Sequence, residues 1–120
     1  MKNIAPEITR QRLLIEGYYP IDVDEAVIKS FFQGIADELD LRTYGEPIIF
    51  SPDSGMGRGE NMGYDAFVPL IDSGISLYIW SQARFFSAII YTCKAFDDQK
   101  AVDFTRRFFQ VTGELAYSSF

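Results

Sequence analysis

The stretch Asp72-Ser73-Gly74-Ile75-Ser76-Leu77-Tyr78-Ile79-Trp80 decides the fold of this chain, together with the segment from Phe85 to Cys93 that follows it. Both segments are rich in apolar, β-branched and aromatic residues, and the residues 81–84 between them are mostly polar. This pattern is typical of a β-hairpin with a short connection.

A register follows from the hairpin if Trp80 pairs with Phe85. Asp72 then lies opposite Cys93, the only cysteine of the chain, and Ser73 lies beside it at the start of the strand. A carboxylate, a hydroxyl and a thiol would meet at one end of the hairpin. Two interpretations stay open: a reactive site, or three small polar residues at a strand end.

Length and composition predict one domain over residues 1–120, with residues 1–10 as a loose lead-in. Hydrophobic residues make up 48% of the chain, which is too high a proportion for a disordered protein. No apolar run approaches the roughly 20 residues that span a bilayer, and the first residues lack the core of a signal peptide. We therefore expect a cytoplasmic protein with no membrane partner, and a single cysteine agrees with a reducing compartment.

The formal net charge of −6 argues against a nucleic-acid partner, because such proteins normally carry an excess of basic residues. The chain contains no histidine, which is the most common general base near neutral pH and the most common metal ligand. This excludes a Ser-His-Asp triad and a Cys-His dyad, and we expect no metal site.

The N-terminal part predicts a strand and then a helix. The strand runs from Gln11 to Tyr19, and Asp22 with Glu25 resembles a capping box at the start of the helix. Apolar residues then recur every four positions, as on one face of an amphipathic helix of about 16 residues. These residues are Val27, Phe31, Ile35 and Leu39.

The middle of the chain predicts two strands around a glycine-rich loop. Ile48–Phe50 is a short strand, and the loop spans Ser51–Glu60. The loop lacks the Lys-Ser/Thr pair and the glycine spacing of phosphate-binding motifs, which argues against a phosphate site. The second strand covers Asp65–Ile71, where Pro69 indicates an edge position or a bulge.

The C-terminal part predicts a second helix, capped by Asp97 and Asp98 and ended by Gly113, and a last strand over Glu114–Ser119. The order β-α-β-β-β-β-α-β predicts an α+β fold, a two-layer sandwich in which one antiparallel sheet carries two helices on one face. The apolar stripe of the second helix comprises Ala101, Phe104, Phe108 and Val111.

Four segments resemble, in the same order, the bacterial and archaeal S-adenosylmethionine decarboxylases. Leu14-x-Glu16-x-Tyr18 matches the first strand of that family, and Phe50-Ser51-Pro52 matches a Phe-Ser-Pro after its second strand. Residues 72–80 resemble its Glu-Ser-His-Leu-Ser-Ile-His-Thr-Trp, and Tyr91-Thr92-Cys93 resembles its Phe-Thr-Cys. The resemblance extends over about residues 11–112.

The resemblance implies the same α+β fold and a self-cleaving enzyme of polyamine biosynthesis. In that family, the oxygen of a serine attacks the preceding carbonyl, and the ester that forms then breaks and leaves a pyruvoyl group at the new N-terminus. The pyruvoyl group withdraws electrons as the substrate loses carbon dioxide. The implied cleavage site is the Asp72–Ser73 bond, with Ser73 as the pyruvoyl precursor and Cys93 as the acid that reprotonates the product.

Other site residues follow from the same resemblance. Glu16, Phe50 and Trp80 are implied to contact the substrate. Tyr78 occupies the position of the processing histidine, and Asp65 that of a serine that assists processing. A phenol keeps its proton at neutral pH, so it is a poor replacement for an imidazole base.

Further departures flank the implied pyruvoyl precursor. Asp72 replaces a glutamate, and Gly74 replaces a histidine and loosens the strand after the serine. These changes add to the loss of the processing base, so they weaken the case for self-cleavage.

Two hypotheses follow from these departures. In the first, the chain is a divergent, unprocessed member without a pyruvoyl group, and its pocket at Ser73 binds a small amine, an amino-acid-like ligand or a protein partner. In the second, it is an active pyruvoyl-dependent decarboxylase of S-adenosylmethionine or a related amino acid, in which Tyr78 or Asp65 replaces the histidine. The resemblance also implies a homodimer joined through the sheets of two copies, and an exposed aromatic sheet face would favour one.

Overall fold

The structure, a computed structural model, describes residues 1–51 and 59–120. This part of the chain contains six strands and two α-helices. They follow one another in the predicted order β-α-β-β-β-β-α-β. The predicted loop Ser51–Glu60 lies mostly outside the described residues. The elements are β1 (Gln11–Tyr18), α1 (Glu25–Glu38), β2 (Ile48–Phe50), β3 (Gly63–Leu70), β4 (Ser73–Trp80), β5 (Phe85–Thr92), α2 (Asp98–Phe109) and β6 (Leu115–Ser119).

The strands form one antiparallel sheet in the order β2-β3-β4-β5-β1-β6. Trp80 pairs with Phe85, which confirms the register predicted for the central hairpin. The first strand enters the sheet between β5 and β6, so residues from both ends of the chain lie side by side. Together with the two helices, this sheet confirms the predicted α+β sandwich.

An aromatic cluster joins the sheet to both helices. Phe86 of β5 stacks on Phe109 of α2 with ring centroids 4.4 Å apart, and Phe31 of α1 lies 5.1 Å from Phe109. All three rings are fully buried. Alternate residues of β4 and β5, for example Leu77 and Ile90, are buried on the side of the sheet that carries Phe86. The helices therefore cover one face of the sheet, and we call the other one the open face.

Helix α1 begins later than the sequence predicted. Its N-cap is Asp24, whose carboxylate accepts the Val27 amide at 3.0 Å, so the capping box at Asp22 is wrong. Asp22 instead forms an ion pair with Arg84 at 2.7 Å, which ties the start of the helix to the β4–β5 turn. The predicted stripe is buried at Phe31, Ile35 and Leu39 and half-buried at Val27.

Helix α2 begins as predicted but ends earlier. The carboxylate of Asp97 accepts the amides of Gln99 and Lys100, which confirms the cap. The helix stops at Gln110, which adopts a left-handed backbone with φ of 56°, and not at Gly113. Val111 therefore lies beyond the helix. The fully packed side consists of Ala101, Val102, Thr105 and Phe109, whereas Phe104 and Phe108 are partly buried.

Pro69 lies in a continuous strand, so no bulge forms, but its own position is at an edge as predicted, because β2 pairs with β3 only over Asp65–Phe67. The strand pairs with β4 along its length and with β2 over Asp65–Phe67. Pro69 is beyond the end of β2, and its carbonyl accepts the Tyr44 amide at 3.0 Å. Because the backbone N and O of a strand residue point to the same side, the missing N–H faces away from β4 and breaks no bond of that ladder.

Candidate functional site

A tight turn places Ser73 at one end of the sheet. Leu70 pairs with Ser73, and only Ile71 and Asp72 lie between the two strands. Asp72 has a left-handed backbone with φ of 61°, a region that Asp and Asn tolerate better than most residues. The Asp72–Ser73 bond, the predicted cleavage site, therefore directly follows a residue in an uncommon backbone conformation.

The end of β5 folds back against this turn. Thr92 is fully buried, and its hydroxyl donates to the carbonyl of Lys94 at 2.6 Å, which bends the chain at Cys93. The Cys93 amide then donates to the Ser73 hydroxyl oxygen at 3.1 Å. The structure thus brings Asp72, Ser73 and Cys93 together, as the hairpin register predicted.

These residues line a cavity of about 380 Å³ on the side where α1 ends. The lining includes two acidic and two basic side chains: Asp40, Asp72, Arg42 and Lys94. The Lys94 ammonium donates to the Asp40 carbonyl at 2.9 Å and lies 3.6 Å from the Asp40 carboxylate. A cavity with groups of both signs can hold a ligand that itself carries both signs.

Sequence reasoning missed three of these charged residues. Asp40 and Arg42 belong to the segment after α1, and no local pattern links that segment to Ser73. The contact that brings it close is a backbone bond from the Ile71 amide to the Arg42 carbonyl at 3.0 Å. Lys94 had a usable signal, because it follows Cys93 directly.

The other predicted site residues, apart from Trp80, lie in one line across the open face. Cross-strand pairing puts them side by side, and we call the line the transverse row: Phe50, Asp65, Tyr78, Ser87 and Glu16. Ser87 had not been predicted, and its hydroxyl donates to Glu16 Oε2 at 2.8 Å. Trp80 lies on the same face, and its indole N–H donates to Asn61 Oδ1 at 3.0 Å.

The transverse row is separated from Ser73. Ser73 and Tyr78 are both in β4 but five positions apart, so strand alternation directs their side chains to opposite faces. At roughly 3.3 Å per residue they are about 16 Å apart along the strand. Asp65 pairs with Tyr78 and is equally remote. The structure therefore does not bring Tyr78 or Asp65 to the serine that they were predicted to serve.

A second cavity, of about 360 Å³, opens beside Ser73 on the open face. Its lining includes Phe67, Gly74, Ile89 and Tyr91. The Phe67 ring lies over Gly74, since a Cβ atom on that glycine would come within 2.6 Å of the ring. A ring from the neighbouring strand thus occupies the space where a side chain of β4 would lie.

Two kinds of feature are missing from the described residues. No three Cys, Asp or Glu side chains there come close enough together to hold a metal ion. In the same part of the chain, neither helix has the length and apolar character needed to cross a membrane.

Comparison with known proteins identifies the family. The sequence profile of the S-adenosylmethionine decarboxylase family matches residues 15–117, which is most of the chain. The chain belongs to this family. The fold is similar to the crystal structure of the adenosylmethionine decarboxylase from Aquifex aeolicus VF5, with a TM-score of 0.69 and 16% sequence identity over 94% of this chain and 89% of that one. A search of curated proteins finds no match.

The S-adenosylmethionine decarboxylase family is pyruvoyl-dependent when processed, so the residues around Ser73 can be tested for fit. Ser73 fits as a precursor, because it starts a strand and has Cys93 beside it. Within one chain, Tyr78 and Asp65 lie in the transverse row on the open face and not beside Ser73. The individual roles of these residues stay predictions.

Proposed function

We propose that this protein is an S-adenosylmethionine decarboxylase-like protein that stays uncleaved, lacks a pyruvoyl group and binds a small amine or amino-acid-like ligand at Ser73. The observation that carries the proposal is that Tyr78 stands at the position of the family's processing histidine, and a phenol is a poor base near neutral pH. Cleavage requires a base, and the chain contains no histidine that could act as one.

The hydrogen bond of Ser73 adds to this argument. For self-cleavage, the hydroxyl oxygen must approach the carbonyl carbon of residue 72. That oxygen instead accepts the Cys93 amide at 3.1 Å, which holds it toward the end of β5. Leaving this position would leave the Cys93 amide without its partner.

The charges of the 380 Å³ cavity support the ligand class. Its volume is typical of small-molecule sites, which run from about 300 to 1,000 Å³. Asp40 and Asp72 suit an ammonium group, and Arg42 and Lys94 suit a carboxylate. An amino acid carries both groups, whereas a polyamine would use the acids alone and offer no carboxylate to Arg42 and Lys94.

Ligand binding is tested by thermal shift and calorimetry with S-adenosylmethionine, basic amino acids and polyamines. We expect amino-acid ligands to raise the melting temperature of the wild type. Lys94→Ala should abolish that rise, and the control Lys100→Ala, on the exposed side of α2, should retain it. The absence of a shift with every ligand would contradict the binding proposal, as would equal shifts in the two variants.

A working decarboxylase is the second candidate, and one observation favours it. Ser73 directly follows Asp72, which has a left-handed backbone, and lies beside Cys93, an arrangement suited to a strained scissile bond. In this case the chain should break before Ser73, Ser73→Ala should abolish the break and Tyr78→Phe should slow it. A Ser73→Ala protein that still breaks there would rule this candidate out.

We also propose that two copies associate through their open faces. This face exposes large apolar side chains, including Phe50 at 66% and Tyr91 at 40%. Contiguous apolar patches of this kind often mark protein interfaces. Tyr91→Lys should weaken association in sedimentation experiments, whereas Ile4→Lys in the N-terminal segment should not. Equal association of both variants would contradict an open-face dimer.

A further inference from the structure

The two edges of the sheet are protected differently. At one edge, β2 has three residues, and Thr43 pairs with Leu70 at the end of β3. At the other edge, β6 has five residues and pairs with β1 on its inner side. Its sequence Leu-Ala-Tyr-Ser-Ser contains no charge, proline or glycine, the residue types that usually block pairing at an edge.

Alternate residues of β6 direct their backbone groups away from β1, and on that side the Ser119 carbonyl accepts the Ser118 hydroxyl at 3.4 Å. The Phe120 amide donates to the Arg12 carbonyl at 3.2 Å, so the backbone of that residue points toward β1. Alternation along an antiparallel strand then directs Leu115, Tyr117 and Ser119 outward. Among residues 1–51 and 59–120, no group accepts a backbone bond from these three amides outside the β1–β6 ladder.

We propose that a second copy of this chain binds at this edge, with the two β6 strands antiparallel about a two-fold axis at Tyr117. Each outward residue then meets a partner that also points outward: Tyr117 faces Tyr117 of the second copy, and Leu115 faces Ser119. Pairs of this kind exchange both of their backbone bonds. The edge is self-complementary, as a two-fold interface requires.

Helix α2 runs alongside β6 in the opposite direction. The Ser119 hydroxyl donates to Asp98 Oδ2 at 3.3 Å at one end, and Arg106 donates to the Gly113 carbonyl at 3.5 Å at the other. The rings of Phe104 and Phe108 contact Phe31 of α1. The helix side away from α1 therefore faces the β6 edge.

That side of α2 carries charges of both signs. At about 100° per residue, Gln99, Asp103 and Arg106 lie opposite Phe104 and Phe108. The two-fold axis reverses α2 of the second copy, so Asp103 of each copy approaches Arg106 of the other. This complementarity favours a second copy of this chain over an unrelated peptide, because the same two residues satisfy each other across the axis. The pairing requires neither a ligand nor cleavage at Ser73.

The first test compares Tyr117→Pro with Tyr117→Ala, each combined with Tyr91→Lys so that the open-face association is weakened in both, by analytical ultracentrifugation over a range of protein concentrations. Proline removes an outward amide and leaves the β1 ladder intact, whereas alanine retains the amide. We expect the proline variant to lose association at least tenfold in dissociation constant and the alanine variant to change little. Equal association of the two variants, or a wild type that is monomeric at all concentrations, would overturn the proposal.

A charge exchange tests the helix contact and covers the case in which the proline variant fails to fold. Asp103→Arg and Arg106→Asp should each weaken association, and the double variant should restore it. A double variant that associates as weakly as the single ones would overturn the pairing. Tyr91→Lys separates this interface from the open-face dimer, because it should weaken only the latter and leave the β6 contact in place.

Discussion

The covered face and the open face of the sheet consist of alternate residues of the same strands, yet they carry different chemistry. On the covered face, Phe86 and Leu77 are fully buried under the helices. On the open face, Phe67 and Tyr91 are exposed beside the polar transverse row. The comparison shows that the residues that build the core leave Ser73 at the sheet end and Tyr78 on the far side.

The largest difference should appear between phenylalanines of the two faces. Phe109→Ala removes a ring stacked on Phe86 and should lower the free energy of unfolding by about 3–5 kcal/mol. Phe50→Ala, at an exposed position, should change it by about 0.5 kcal/mol or less. Urea denaturation at a concentration where the protein is monomeric measures both. Similar losses for the two variants would contradict the assignment of the faces.

Two glycines of the open face sharpen the comparison. A Cβ atom at Gly63 would collide with the backbone carbonyl of Ile79, so Gly63→Ala should destabilise the protein by about 3 kcal/mol. At Gly74 the obstacle is the Phe67 ring, which can rotate away, so Gly74→Ala should lose about 1 kcal/mol. Denaturation curves give both free energies of unfolding. A larger loss of stability for Gly74→Ala than for Gly63→Ala would show that the Phe67 ring cannot rotate away.

At the sheet end, the side chain of Ser73 should matter more than that of Cys93. Ser73→Ala leaves the Cys93 amide without its acceptor and should lower stability by about 1 kcal/mol. Cys93→Ala keeps that amide and removes an exposed thiol, so the change should stay within about 0.5 kcal/mol. The same denaturation assay compares the two variants. A larger loss of stability for Cys93→Ala than for Ser73→Ala would contradict a stabilising role for this hydrogen bond.

The smallest effect concerns alkaline pH. Burial raises the pKa of the Tyr19 phenol above its usual value of 10.0, although the nearby Arg84 cation acts in the opposite direction. The unfolded chain therefore loses this proton first, so stability is complete below pH 10 and falls as the pH rises toward the folded pKa. Tyr19→Phe should reduce that fall in urea titrations, with Tyr18→Phe as the control. Identical alkaline slopes for wild type and Tyr19→Phe would be the contrary result.

Much of the fold follows from local patterns. The spacing of Phe31, Ile35 and Leu39 identified α1, and the paired apolar runs identified the β4–β5 hairpin and its register. Helix boundaries were harder, because several residues near each end can act as a cap. Asp22 and Asp24 could both cap the start of α1. In the structure Asp24 is the cap, and Asp22 forms an ion pair with Arg84 instead.

The site was predictable only where two strands are adjacent in sequence. Counting residues back from the Trp80–Phe85 pair placed Ser73 beside Cys93. Strand alternation directs the side chains of Ser73 and Tyr78 to opposite faces. Asp40 and Arg42 reach the same cavity through a long-range backbone contact that no periodicity encodes. Predicting them requires the path of the chain between α1 and β2, which depends on tertiary packing.

The intact mass of freshly purified protein tests the central claim most directly. If Ser73 is held by the Cys93 amide and the chain has no histidine to act as the processing base, the protein should remain one species of 13.7 kDa after prolonged incubation. Cys93→Ala should behave in the same way, because it retains the amide. Complete conversion into two fragments, residues 1–72 and 73–120, with a pyruvoyl group on the second, would contradict the account.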